Sequence, residues 1–182
     1  VDCLRVVDKM YTKGVSSVLD YSVEGKEEEA QFDAALNMTL KTIEFARERE
    51  AIPFAVFKPT GFGRLALYEK VGDKAHLTEN EQKEWNRVIE RFDIACKTAF
   101  EKDVLLLIDA EESWMQDAAD AIVADMMRKY NKEKAIVFNT LQMYRWDRLD
   151  YLKNLHEQAK SEGFYIGMKL VRGAYMEKEN DR

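Results

Sequence analysis

The chain has 182 residues, 46% of them hydrophobic and 11% aromatic, with a formal net charge of −6 and a pI of about 5.2. That length fits one domain with a sizeable core. The acidic balance argues against unspecific nucleic-acid binding, which needs clustered cations. With 8 glycines and 2 prolines, disordered and collagen-like readings fail, and the longest aliphatic run, residues 104–108, is too short for a membrane-spanning helix. Two cysteines without a paired spacing, Cys3 and Cys96, point to a reducing compartment. Two histidines, His76 and His156, are too few for a histidine-based metal site. No basic-then-apolar leader opens the sequence, and a start at Val1 rather than Met reads as part or a trimmed form of a longer polypeptide.

In chain order, Leu4, Val7 and Met10 predict a helix over residues 3–11, within a lead-in spanning 1–14. A β-branched, serine-rich stretch predicts a strand over 15–19, ending at Asp20. Phe32, Leu36, Leu40 and Ile43 predict a long helix over 26–50, its acidic first turn suited to the helix dipole. A strand over 51–57 follows, then a turn-rich stretch from Lys58 to Arg64. Gly61-Phe62-Gly63 lacks the third glycine of a dinucleotide loop and reads as a plain turn. Thr78 and Glu81 form a capping-box signature, opening a helix whose stripe is Trp85, Ile89, Phe92, Cys96 and Ala99.

Residues 104–108 read as a strand buried on both faces. A helix over 114–130 with Ile122 and Met126 inward follows, then a strand over 134–138. A helix over 147–161 carries Leu149, Leu152, Leu155 and Ala159, with Gly163 as its stop. The last strand covers 164–171. His156 belongs on the surface, the Met126-Met127 pair in the core, and Glu111 and Glu112 at the start of a helix.

Alternating strands and helices call for a parallel sheet with right-handed crossovers. Asp20, Lys58, Asp109, Asn139 and Lys169 sit at the ends of five successive strands, separated by 38, 51, 30 and 30 residues. A (β/α)8 TIM-type barrel gathers such ends at one mouth, whereas an open doubly wound sheet concentrates them at one switch point. The fold class is therefore α/β, with about the first five βα units of a barrel over 15–182. Period-two alternation puts Phe54, Val56 and Lys58 on one strand face, Leu105, Leu107 and Asp109 on another, and Gly167 and Lys169 on a third. Two cations then face Asp20 and Asp109 at the mouth. A salt-bridged rim is one reading; a pocket for a small charged or zwitterionic ligand is the other.

The series Leu19-Asp20-Tyr21-Ser22, Phe57-Lys58-Pro59-Thr60-Gly61, Ile108-Asp109-Ala110-Glu111-Glu112-Ser113, the stretch from Phe138 to Tyr144, and Lys169-Leu170-Val171-Arg172-Gly173-Ala174-Tyr175 resembles the proline dehydrogenase family. The resemblance runs from about Val15 to the end. It implies an FAD-dependent barrel oxidising L-proline to 1-pyrroline-5-carboxylate in proline catabolism, with electrons passed to a quinone. It assigns Asp109 and Lys169 to catalysis and Lys58, Tyr175 and Asp20 to the substrate side. Ala110, Gln142, Val171, Arg172, Gly173 and Ala174 fall to the cofactor. It also implies a cytoplasmic or peripheral inner-membrane enzyme in bacteria, a mitochondrial one in eukaryotes, and a partner dehydrogenase for the product. Two departures stand out. Many bacterial members carry arginine at position 169 and lysine at 172, and the family's paired arginines for the proline carboxylate have no counterpart in these residues. Alternatives from the residues themselves are an aldolase-type barrel using Lys58 or Lys169 as a Schiff-base nucleophile, or a non-catalytic barrel domain of a larger assembly.

Overall fold

Five short segments pair into one parallel sheet in the computed structural model, which describes residues 2–20, 26–173 and 175–181. The strands are β1 (Val18–Leu19), β2 (Phe54–Phe57), β3 (Leu105–Ile108), β4 (Val137–Gln142) and β5 (Met168–Val171). Their spatial order is their chain order. A doubly wound sheet builds outward on one side of its first strand and then crosses to the other; here each strand lies beside the one before, as in a barrel wall. Register fixes the strand ends together: Phe57 pairs with Ile108, and Gln142 with Val171.

The helices are α1 (Asp2–Tyr11), α2 (Glu29–Arg47), α3 (Leu65–Gly72), α4 (Glu79–Lys102), α5 (Ser113–Tyr130), α6 (Arg148–Glu162) and α7 (Met176–Asp181). The predicted cap of α4 is present: the Glu81 N–H donates to Thr78 Oγ1, and Thr78 N–H donates to the Glu81 carboxylate at 2.8 Å. Gly163 ends α6 in the left-handed region at φ 68°, where a side chain is disfavoured. No described helix is long and apolar enough to cross a membrane.

The sheet has two apolar faces. Ala55, Phe57, Leu106, Ile108 and Val137 face the helices and share their core. There Phe57 stacks on Phe62 at 4.4 Å, and both rings meet the edge of Phe92. The opposite face carries Phe54 and Phe138, edge to face at 5.5 Å. A Cβ on Gly167 would sit 2.7 Å from the Phe138 ring and 2.8 Å from the Val137 carbonyl oxygen, so β5 closes onto β4 only with glycine there. Below the strands, the side chain of the fully buried Asn131 makes four hydrogen bonds. Its oxygen accepts from the N–H groups of Ile136 and Val137, and its amide nitrogen donates to the carbonyls of Val137 and Tyr165.

Three expectations are corrected. The fourth strand runs over Val137–Gln142 rather than 134–138, because its polar residues find partners: Asn139 bonds Asp120, Thr140 bonds the Ile108 carbonyl, and Gln142 bonds the Glu111 carbonyl. Asn139 accordingly points into the helix layer rather than the mouth. Helix α3 fills residues between the turn-rich stretch and Thr78, where the sequence pattern predicts no element. It is anchored by the buried Tyr68, whose hydroxyl donates to the Pro59 carbonyl at 2.7 Å. Ile89 and Leu149 are exposed, and Val88 takes the buried place on α4.

Candidate active site

Strand parity sets the site. Lys58 follows β2, Asp109 follows β3 and Lys169 lies on β5, so their side chains share the inner face of the sheet. Asp109 joins the two cations: Oδ2 lies 3.4 Å from Lys58 Nζ, and Oδ1 accepts from Lys169 Nζ. Lys58 and Asp109 are mostly buried, and Lys169 is partly exposed. Burial pulls the Lys58 ammonium down, but Asp109, Glu111 and Asp20 attract it more strongly, and its pKa ends above the ordinary lysine value. Lys58 is thus held protonated. Asp20 is exposed just after β1 and within electrostatic reach of Lys58.

Gln142 closes β4 with its amide held at both ends. Nε2 donates to the Glu111 carbonyl, and Oε1 accepts from Arg145 at 3.4 Å. Ala110 is buried and Val171 half-buried, while Arg172 and Gly173 are exposed beyond β5. Tyr175 is half-buried at φ 59°, and Lys178 Nζ lies 5.3 Å from its ring centre. Ala174 lies outside the described residues. The structure therefore brings Lys58, Asp109 and Lys169 into direct contact. Gln142, Arg172, Gly173 and Tyr175 lie along the same strand ends.

Glu111 does more than begin a helix. Its carboxylate accepts from the Thr60 N–H at 2.8 Å and the Thr60 hydroxyl at 2.7 Å, strapping the loop after Lys58 to the loop after Asp109. Burial drives its pKa up to about 7, against the pull of Thr60 and Lys58. Its neighbour Glu112 stands at the N-cap position of α5, makes no capping bond with its side chain, and pairs with Lys178 at 2.6 Å. A 51-residue separation hides the Thr60–Glu111 bond from any local pattern; the only sequence signal is a second acid pair beside a strand-end aspartate.

A second buried polar cluster lies behind the sheet. Asp120 accepts from Gln116, Asn139 and Arg148 at 2.8, 2.8 and 2.6 Å. Burial raises its pKa and those three partners oppose the rise, which remains net upward. This cluster joins α5, β4 and α6 and faces away from the lysine pair.

The family model described as proline dehydrogenase matches residues 3–182. The chain is 39% identical over 166 residues to the carbapenem antibiotics biosynthesis protein CarD of Pectobacterium carotovorum subsp. carotovorum, covering 91% of this chain and 44% of that protein. It is 44% identical over 108 residues to mitochondrial proline dehydrogenase 1 of Drosophila melanogaster, covering 59% of this chain and 16% of that protein. Among solved structures, the proline utilization A (PutA) protein of Bdellovibrio bacteriovorus matches at a TM-score of 0.77 and 16% identity, over 98% of this chain and 19% of that chain. That likeness speaks for the fold. The chain spans less than half the length of these relatives. Nearly every residue lies within one family's pattern, on a sheet ordered as a barrel wall, and the chain belongs to the proline dehydrogenase family.

Proposed function

We propose that this chain supplies the first five units, over residues 15–182, of a barrel that oxidises L-proline to 1-pyrroline-5-carboxylate with FAD and passes the electrons to a quinone. The observation that carries this reading is the Lys58–Asp109–Lys169 cluster at adjoining strand ends of a parallel sheet. The residues present fit a flavin. An electron-accepting ring bearing carbonyls and an imide, tied to a diphosphate, calls for an oriented amide, positive charge and bare backbone. Gln142, Lys169, Arg172 and Gly173 offer these along β4 and β5. Ala110 and Val171 are the apolar remainder of that surface, and the family resemblance adds Ala174, outside the described residues, to the cofactor side. When bound, FAD supplies the acceptor for the hydride leaving proline.

The protein's own part is charge and orientation. Proline must lose a proton from nitrogen and a hydride from carbon. Lys58, held protonated, is a standing positive charge rather than a base. Asp109 fixes both ammonium groups, so neither has to reorganise as charge develops nearby. Lysine at position 169 presents a point charge where arginine would present a planar fork. Tyr175 walls the proline pocket and Asp20 sits at its rim. A protonated Lys58 weighs against a Schiff-base nucleophile at that position, since a nucleophilic lysine needs a depressed pKa.

A peripheral membrane position suits delivery to a quinone, and a partner dehydrogenase suits removal of the product. The name of the Pectobacterium relative favours a second setting, in which the same oxidation serves antibiotic biosynthesis. The test of the main reading is the visible spectrum of the full-length protein. It should bind FAD noncovalently, and L-proline should bleach the band. A colourless protein that cannot be reconstituted with FAD would overturn it.

A further inference from the structure

We infer that Glu179 is a positioning residue for this site, clamping Ser113 with its side chain and Tyr175 with its backbone so that the segment after β5 is held against the loop after β3. The inference rests on the reading above, in which that segment contacts cofactor and substrate.

The clamp is bidentate. The Ser113 N–H donates to Glu179 Oε1 at 2.7 Å, and the Ser113 hydroxyl donates to Oε2 at 2.6 Å. The Glu179 N–H donates to the Tyr175 carbonyl at 2.9 Å. One residue thus grips the first residue of α5, four positions after Asp109, and the residue proposed to wall the substrate pocket. The bond fills a vacancy that the local sequence leaves. Helix α5 begins with Glu112 at its N-cap, and that side chain makes no capping bond. One of the orphan N–H groups of the first turn, that of Ser113, is satisfied from 66 residues away. A carboxylate there also meets the positive end of the α5 dipole. The adjacent Glu112–Lys178 pair at 2.6 Å makes a second tie between the same two elements.

One feature explains why the segment needs holding. Tyr175 stands at φ 59°, in the left-handed region that non-glycine residues adopt only when their surroundings compel them. Its carbonyl accepts the first i→i−4 bond of α7, from the Glu179 N–H, and the Lys178 ammonium lies above its ring. Arg172 and Gly173, between β5 and the clamp, are exposed and depend on both ends for their placement.

The test compares Glu179→Ala, Glu179→Gln and Ser113→Ala in the full-length protein. Hydrogen exchange of the FAD-free protein reads the clamp itself; FAD affinity, by quenching of flavin fluorescence, reads its consequence. Glu179→Ala should speed exchange across residues 172–179 and at Ser113, and weaken FAD binding about tenfold, the loss expected of a charge-assisted pair of hydrogen bonds. KM for proline should rise more than kcat falls. Glu179→Gln should recover most of the loss, because its amide can accept from the Ser113 N–H and donate to the hydroxyl. Ser113→Ala keeps the backbone bond and should fall between. Parent-like exchange and FAD affinity in Glu179→Ala would overturn the inference. Should Glu179→Ala fail to fold, Ser113→Ala decides on the same two readouts. If the parent takes up no FAD, the functional reading fails, while the exchange comparison still decides the clamp.

Discussion

Replacing Glu111 with glutamine should make the protein more stable above neutrality and leave it nearly unchanged in acid. The carboxyl is 1% exposed, and its pKa rises from 4.5 to about 7 chiefly through burial. The folded state therefore holds this proton more tightly than the unfolded chain does. Below pH 4.5 both states carry the proton and there is no penalty. As pH rises to about 7 the unfolded chain gives up its proton first, and stability falls. Above 7 the loss is complete. A shift of that size corresponds to about 3 kcal/mol at 1.36 kcal/mol per pKa unit.

Glutamine preserves the shape. Its oxygen can accept from the Thr60 N–H and its nitrogen can donate to the Thr60 hydroxyl, matching the two contacts seen for the acid. Urea unfolding followed by near-ultraviolet dichroism should show Glu111→Gln gaining about 2–3 kcal/mol over the parent between pH 5 and pH 8. Parallel stability profiles across that range, or a glutamine variant weaker at both ends, would refute the placement of this carboxyl as a buried acid.

Asp109→Ala leaves Lys58 and Lys169 facing each other without their shared counter-ion. Proline turnover should fall by roughly 10²-fold or more with folding largely intact; a dye-linked assay beside a thermal melt checks this, and a large stability loss with unchanged turnover would favour a purely structural rim. Asp120→Ala should instead cost about 3 kcal/mol of stability, because the buried Arg148 loses one of its two close carboxylates and the amides of Gln116 and Asn139 lose their acceptor. Denaturant unfolding tests that value, while FAD affinity should stay near that of the parent because the cluster faces the helix layer.

Much of the fold was legible because apolar spacing and strand parity are local. Residues 104–108 announce β3 by continuous hydrophobicity, Thr78 and Glu81 announce α4, and the parity of Lys58, Asp109 and Lys169 announces the ion cluster. Strand β4 was less legible because Asn139, Thr140 and Gln142 interrupt its apolar run, and only their distant partners make them affordable in a strand. Helix α3 was hidden by its brevity and by the glycines before it. The Thr60–Glu111 strap and the Glu179–Ser113 clamp were illegible for a different reason. Each joins residues more than fifty positions apart, and each uses side chains with a respectable local role as helix-starting acids.

Asn131 carries a liability of another kind. Its carboxamide presents two N–H bonds to the carbonyls of Val137 and Tyr165, and no other side chain of its size offers donor and acceptor on opposite prongs. Hydrolysis of that amide during ageing would turn the donor prong into a carboxylate oxygen confronting two carbonyl oxygens in a fully buried place. The connection into β4 and the approach to β5 would then repel the group that joins them. A loss of one ammonia at a residue far from the mouth would thus loosen the strands that carry Gln142 and Lys169. The order of the site depends partly on one amide at the opposite end of the sheet.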